Sequence, residues 1–102
     1  MSHNPPTTVI VHFHAKADKV DELSKFILPA IPRLSGLPGC RGGSLYHDMD
    51  EPELFVLVEH WDSVERHQAY IEQIENDGTM ERMRPLLAKA PERRYLKVPG
   101  SD

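Results

Sequence analysis

Four short stretches of the chain carry the apolar pattern of β-strands. They cover residues 8–15, 44–48, 54–61 and 94–98. In the first stretch, histidines alternate with Val11 and Phe13, which places the two kinds of side chain on opposite faces of the strand. The third stretch is apolar at nearly every position, with Glu59 as the polar exception. We therefore expect both faces of strand three to be covered.

Helical spacing of apolar residues fills the gap between the first two strands. From Lys19 to Leu34, apolar side chains recur every three or four positions, and Asp18 stands where it can cap a helix. Pro29 and Pro32 each lack a backbone donor, so they should kink or end this helix. The first helix is therefore expected to be irregular in its second half.

A second helix is predicted to follow strand three. Asp62 as N-cap with Glu65 three positions later forms a capping box, and the helix should run to about residue 75. Its inner face is expected to carry His67, Tyr70, Ile71 and Ile74. A shorter helix over residues 79–88 should be interrupted at Pro85. Both helices lie between strands three and four.

The order strand, helix, strand, strand, helix, strand predicts an α+β fold of the ferredoxin-like β-α-β-β-α-β type, with one four-stranded antiparallel sheet. The domain should span residues 8–98, with flexible ends at 1–7 and 99–102. Two helices can cover only one face of such a sheet, whereas strand three is apolar on both faces. We therefore expect a homodimer in which a second copy covers the other face.

Charge and composition narrow the possible partners. The chain has 102 residues, with 12 Lys and Arg against 16 Asp and Glu, for a formal net charge of −4. An acidic chain without a basic stripe is not expected to bind nucleic acid. No apolar run approaches the roughly 20 residues of a membrane span and no signal-peptide pattern is seen, so we expect a cytoplasmic protein with no membrane partner. Cys40, the only cysteine, excludes an internal disulfide and indicates a small packed residue.

Three short motifs resemble those of the antibiotic biosynthesis monooxygenase (ABM) family of the dimeric α+β barrel superfamily. They are residues 19–23 (KVDEL), 37–40 (LPGC) and, as the most specific, 57–63 (LVEHWDS). The resemblance implies a ferredoxin-like protomer, a dimer whose two sheets form a barrel, and a pocket in each protomer between sheet and helices. The family includes cofactor-independent oxygenases of polyketide anthrones and quinols, haem-degrading enzymes and an autoinducer-processing isomerase.

The resemblance also bears on which side chains meet a substrate. Many members carry a histidine on the helix after the strand-three tryptophan, where an ungapped alignment places Tyr70 and a short gap places His67. These two residues share one helical face. The haem-degrading members need an asparagine where Val11 stands, and a tryptophan and a histidine where Tyr70 and Met80 stand. Haem breakdown is therefore disfavoured.

Oxygenation without a cofactor requires a substrate that itself gives an electron to dioxygen, such as an ionised phenol or hydroquinone. The protein then supplies a dry apolar pocket and a group that takes the phenolic proton. We expect His67 and Tyr70 to be the catalytic residues, with His67 as the base because histidine titrates in the right range. The substrate-binding residues are expected to be Trp61, Val11, Phe13, His12 and His14.

Two polar features of the strands allow more than one role. His12 and His14 have the same-face spacing of metal ligands on a strand, but no third ligand can be assigned to them, so no metal and no cofactor are predicted. Glu59 must find a partner if it is buried, and an arginine or a backbone donor is expected.

The leading hypothesis is a homodimeric, cofactor-independent monooxygenase that acts with dioxygen on small aromatic phenols, hydroquinones or anthrones. Two alternatives stay open: a non-oxidative, isomerase-type enzyme of the same fold, and a small-molecule binding or detoxification module without turnover. Turnover that does not depend on oxygen would indicate the first alternative. Thermal stabilisation by a ligand without product would indicate the second.

Overall fold

The computed structural model describes residues 5–100 and confirms the predicted four-stranded antiparallel sheet. Its strands are β1 (Thr7–His14), β2 (Cys40–His47), β3 (Leu54–Trp61) and β4 (Glu92–Leu96). The order across the sheet is β2-β3-β1-β4, and every neighbouring pair is antiparallel. With β1 and β3 in the middle, this is a ferredoxin-like α+β fold. β3 has its predicted limits, whereas β2 and β4 both begin earlier than predicted.

Three α-helices and two 3-10 helices connect the strands. They are α1 (Val20–Ile27), a first 3-10 helix (Leu28–Gly36), α2 (Val64–Asn76), α3 (Thr79–Met83) and a second 3-10 helix (Arg84–Leu86). Pro29 and Pro32 both lie in the first 3-10 helix, and Pro85 lies in the second. The predicted breaks are confirmed, since α-helical geometry stops where proline removes a backbone donor.

Both predicted N-caps are wrong by one residue. Lys19 rather than Asp18 precedes α1, and its side chain makes no capping hydrogen bond. Ser63 caps α2, and its Oγ accepts a hydrogen bond from the backbone N–H three residues later at 3.2 Å. Asp62 instead accepts a hydrogen bond from Arg41 Nε at 2.6 Å. A partner on β2 therefore holds the carboxylate that the local pattern assigned to the helix.

The two faces of the sheet differ in what covers them. Alternate residues of β1 and β3 face the helices and form the buried core with α1, the first 3-10 helix and α3. On the other face, Ile10, Val56 and Val58 are only partly buried, and Tyr46 and Leu96 are 57% and 39% exposed. Strand three thus has two apolar faces, as predicted, but the described chain itself buries only one of them.

A β-bulge explains why β2 begins earlier than predicted. The glycines before residue 44 suggest a turn, yet the β2–β3 pairing continues through them with a register shift between Cys40 and Gly43. Gly42 has a φ of +103°, which residues with a side chain rarely adopt. A Cβ on Gly43 would lie 2.6 Å from the carbonyl oxygen of Val58. Glycine therefore lets this part of the chain join the sheet.

The ends of the chain are described only in part. Residues 1–4 and 101–102, which belong to the ends predicted to be flexible, lie outside the described residues. Thr7, also placed in the flexible N-terminus, is instead the first residue of β1, and its Oγ1 donates a hydrogen bond to the Leu96 carbonyl at 2.8 Å. Within residues 5–100, no helix is long and apolar enough to cross a membrane.

Candidate functional site

A cavity of about 420 Å³ lies between the helix-covered face of the sheet and the helices. Most of its wall is apolar, with Val11 and Phe13 from β1, Leu57 from β3, and side chains of α1, α2 and α3 on the opposite side. Polar side chains make up about a third of the lining. This volume and lining are typical of a site for a small organic molecule.

A row of polar contacts, here called the polar chain, lies beside the cavity and links Trp61, Glu59, His67 and Tyr95. Glu59 on β3 and His67 on α2 are only 2% and 1% exposed, and both line the cavity. Trp61 Nε1 donates a hydrogen bond to Glu59 Oε1 at 3.1 Å, and His67 Nε2 lies 3.4 Å from the same oxygen. On the far side of the imidazole, His67 Nδ1 lies 2.9 Å from the hydroxyl oxygen of Tyr95 on β4.

One arrangement of protons satisfies this chain. An indole N–H can only donate, so Glu59 is an acceptor. A proton on His67 Nε2 then points to the carboxylate, and Nδ1 accepts a hydrogen bond from the Tyr95 hydroxyl; these positions are assigned from the contacts. Because Glu59 and His67 are buried, the contact between them is stronger than it would be in solvent. The carboxylate and the tyrosine hydroxyl thus hold the imidazole in one orientation.

Tyr70 adds a hydrogen-bond donor to the cavity. It lies one helical turn after His67, and its ring centroid is 5.5 Å from that of Trp61. Burial, reinforced by the charge of Glu59, raises the pKa of Tyr70 to about 12. Its hydroxyl makes no hydrogen bond within residues 5–100. Tyr70 therefore stays protonated at neutral pH, and it can donate to a ligand but does not act as a base.

Three arginines also line the cavity: Arg33, Arg82 and Arg93. All three are exposed, and none forms an ion pair with a carboxylate of the described chain. The Arg93 guanidinium carbon lies 5.5 Å from the centre of the Tyr95 ring. Glu59 is the only acidic residue of the lining. The exposed part of the lining is therefore positively charged, which favours a ligand that carries negative charge.

The structure brings together only some of the predicted site residues. Val11, Phe13, His67 and Tyr70 line the cavity. Trp61 does not line the cavity. It is fully buried, and its ring packs against that of His67 with 5.3 Å between ring centroids.

Contrary to the prediction, His12 and His14 are not brought to this cavity. Both project from the opposite face of β1 to Val11 and Phe13. The reason is the alternation of side chains along a strand, which sends successive residues to opposite faces. A contact between these histidines and a ligand in the cavity is therefore excluded by the strand itself.

Two residues of the polar chain were missed as functional candidates. The partners of Glu59 are Trp61 and His67, so the prediction of an arginine or a backbone donor is wrong. A signal for Glu59 exists in the sequence, because it is the one acidic residue on the covered face of β3. Tyr95 carries no such signal, since its contact with His67 joins residues 28 positions apart in the chain.

Cys40 agrees with its predicted role as a packed residue. Its side chain is buried at the start of β2, where its sulfur accepts a hydrogen bond from the Gly42 N–H at 3.4 Å. Burial raises the pKa of the Cys40 thiol above its usual value. The thiol therefore stays protonated at neutral pH, which is not the state of a nucleophile.

The sheet order and the helices that cover one face define a ferredoxin-like α+β protein with an apolar cavity between sheet and helices. The family model for antibiotic biosynthesis monooxygenases matches residues 6–73. The chain belongs to this family. The matched segment runs from β1 into α2 and includes Glu59, Trp61, His67 and Tyr70. Among curated proteins, none matches the chain.

Solved structures share the fold over nearly the whole chain. The Rv0793 protein of Mycobacterium tuberculosis is 22% identical, with 91% of this chain and 94% of that chain covered and a TM-score of 0.79. A candidate antibiotic biosynthesis monooxygenase of Nitrosomonas europaea is 16% identical, with coverages of 98% and 96% and a TM-score of 0.82. A variant of SnoaB, a cofactor-independent oxygenase of Streptomyces nogalater, is 14% identical, with coverages of 92% and 93% and a TM-score of 0.75.

Proposed function

We propose that this protein is a cofactor-independent monooxygenase that acts on small aromatic phenols, hydroquinones or anthrones. The observation that carries the proposal is the buried Glu59–His67 pair in the wall of an apolar cavity. Family membership supports a monooxygenase-type reaction in general. The shared fold of the cofactor-independent oxygenase SnoaB is consistent with chemistry that needs no flavin or metal.

The proposed reaction converts a CH2 group of an anthrone, or an aromatic C–H para to a phenol hydroxyl or ortho to a hydroquinone hydroxyl, into a carbonyl. Loss of a proton leaves an electron-rich anion, which transfers one electron to dioxygen. The two radicals combine to a peroxide, and loss of water from the peroxide forms the C=O bond. One oxygen atom enters the product and the other leaves as water with the two hydrogens of the substrate. The substrate supplies every electron, so no external reductant is required.

The polar chain supplies the proton transfers of this reaction. Both nitrogens of His67 are engaged by protein partners, so we assign the base to the Glu59–His67 pair rather than to His67 alone. Glu59 accepts the substrate proton, and His67 holds the Glu59 carboxylate in position through its contact with Oε1. When water leaves the peroxide, Glu59 returns this proton to the departing oxygen. Tyr70 donates a hydrogen bond to the developing oxyanion. The apolar part of the wall limits contact between the radical pair and water.

Oxygen uptake by metal-stripped, flavin-free protein tests the proposed function. With a panel of hydroquinones and anthrones, we expect enzyme-dependent uptake of one dioxygen per product, and 18O2 should place one labelled atom in the product. Heat-denatured protein and protein-free samples correct for autoxidation. Conversion at the same rate without oxygen would contradict the proposal in favour of an isomerase. Binding of panel members without any conversion would contradict it in favour of a binding module.

We also propose that the protein is a homodimer joined through the open face of the sheet. In the middle of this face, Ile10 stands opposite Val58, and Val58 stands opposite Ser44. Partly buried aliphatic side chains and the exposed Tyr46 therefore form one continuous apolar surface. A protein of this size rarely leaves such a surface in water. A second copy related by a two-fold axis would present the same surface.

Light scattering should give about twice the 11.6 kDa mass of one chain. Ile10→Glu is expected to give a folded monomer, because the added carboxylate would be desolvated at the centre of the contact. Gln73→Glu adds the same charge on an exposed position of α2 and should stay dimeric. A wild-type monomer at micromolar concentration, or a dimeric Ile10→Glu variant with native circular dichroism, would contradict this interface.

A further inference from the structure

Two histidines and a glutamate meet on the open face of the sheet. His12 and His14 are two residues apart on β1, so their side chains project to the same side. The antiparallel pairing of β1 with β4 places Glu92 directly opposite His12. One ligand atom from each side chain lies within 4.8 Å of the other two. His14 Nε2 and Glu92 Oε1 are 3.2 Å apart.

We propose that His12, His14 and Glu92 bind a divalent transition-metal ion such as zinc. Two imidazole nitrogens and one carboxylate oxygen form a ligand set that suits zinc, cobalt or nickel and does not suit the oxygen-preferring calcium or magnesium. The third ligand, which could not be assigned from the sequence, is supplied by a strand 78 residues further along the chain.

The distances between the ligand atoms are close to those of such a site. With metal–ligand bonds of about 2.1 Å, tetrahedral ligands stand about 3.4 Å apart. The His14–Glu92 separation already meets this value. The His12 ligand atom lies within 4.8 Å of the other two, and we expect a side-chain rotation to bring it to this spacing. Three protein ligands leave at least one coordination position for water or another small ligand.

The position of the three residues on the sheet favours binding of an ion. All three residues stand on hydrogen-bonded strands rather than loops, so their backbones are fixed before an ion arrives. In the single chain, the side chains of Glu92 and His14 are 59% and 23% exposed, so the chain itself does not enclose the cluster.

The metal site is separate from the proposed oxygenation. Val11 and Phe13 face the cavity, whereas the neighbouring His12 and His14 face the other side of the same strand. An ion held there would be separated from the Glu59–His67 pair by the sheet. The site therefore adds a second ligand to the protein, and its test does not depend on the outcome of the oxygen-uptake experiment.

Titration of metal-free protein with Co2+ tests the proposal. We expect absorption bands of four-coordinate cobalt that saturate at one ion per chain, and displacement of the cobalt by Zn2+ with loss of these bands. Zn2+ should also raise the thermal midpoint, because it binds the folded chain. His12→Ala and Glu92→Gln should each weaken binding by more than about 100-fold, since loss of a direct ligand exceeds the effect of losing an outer partner.

His60→Ala is the matched control. His60 lies on the same face of the sheet, where its Nδ1 is 3.2 Å from Thr8 Oγ1, but it does not belong to the cluster. This variant should bind cobalt as the wild type does. Circular dichroism of each metal-free variant confirms that it is folded. Absence of cobalt bands in the wild type, or wild-type affinity in folded His12→Ala, would overturn the proposal.

Discussion

Replacing Glu59 with glutamine is expected to lower kcat by roughly 10²–10⁴-fold, the usual contribution of a general base. Glutamine has nearly the same shape, and its amide oxygen can still accept the hydrogen bond from Trp61. It cannot take up a proton, however, and it does not carry the charge that faces His67 Nε2 at 3.4 Å. The substitution therefore removes the proposed proton acceptor while keeping the wall of the cavity.

The rate is measured with the substrate found in the oxygen-uptake panel, by product formation under saturating conditions. Glu72→Gln is the matched control, because it makes the same chemical change at an exposed position on α2 that does not line the cavity. It should keep the wild-type rate. His67→Gln should resemble Glu59→Gln, since the two residues act as a pair. A folded Glu59→Gln variant with the wild-type kcat would show that the base lies elsewhere.

Trp61→Ala is expected to cost about 3–5 kcal/mol of unfolding free energy, as is usual for loss of a large aromatic side chain from a core. Trp61 is fully buried at the end of β3, and its ring contacts the rings of His67 and Tyr70. It also donates the 3.1 Å hydrogen bond to Glu59. The substitution therefore leaves a cavity and removes one donor from a buried carboxylate.

Trp61→Phe separates these two effects. Phenylalanine fills most of the space but has no N–H, so the expected cost falls to about 1–3 kcal/mol for a buried acceptor that loses a partner. Urea unfolding followed by circular dichroism measures both values. Met49→Ala, at a fully exposed turn position, should change stability by less than about 0.5 kcal/mol. If the midpoint of Trp61→Ala matched that of the wild type, this account of the site would be wrong.

Local patterns in the sequence predicted most of the strands and helices. β3 was predicted with its observed limits because its apolar run is bounded by a turn at Pro52 and by a helix cap after Trp61. The proline-induced breaks followed from the missing backbone donor, which acts at the residue itself. The cap of α2 was misplaced because a distant partner, Arg41, binds Asp62. The start of β2 was misplaced because its glycines pair with β3.

The candidate site was predictable only in part. His67 and Tyr70 were identified from their place on an inner helical face, and that face does meet the cavity. Glu59 was recognised as a polar exception on a buried strand, but its partners could not be deduced because they depend on where α2 lies over the sheet. The order of the strands also decides that Tyr95 reaches His67.

By itself, the amino-acid sequence determined the succession of strands and helices, the two apolar faces of β3 and the histidine content of β1. These features depend on residue periods of two and of three to four, which are local properties of the backbone. The tertiary structure alone decided that Glu59 meets His67 and that Glu92 joins His12 and His14. Such contacts join residues far apart in the chain, and their distances are set by strand register and helix packing rather than by any local preference.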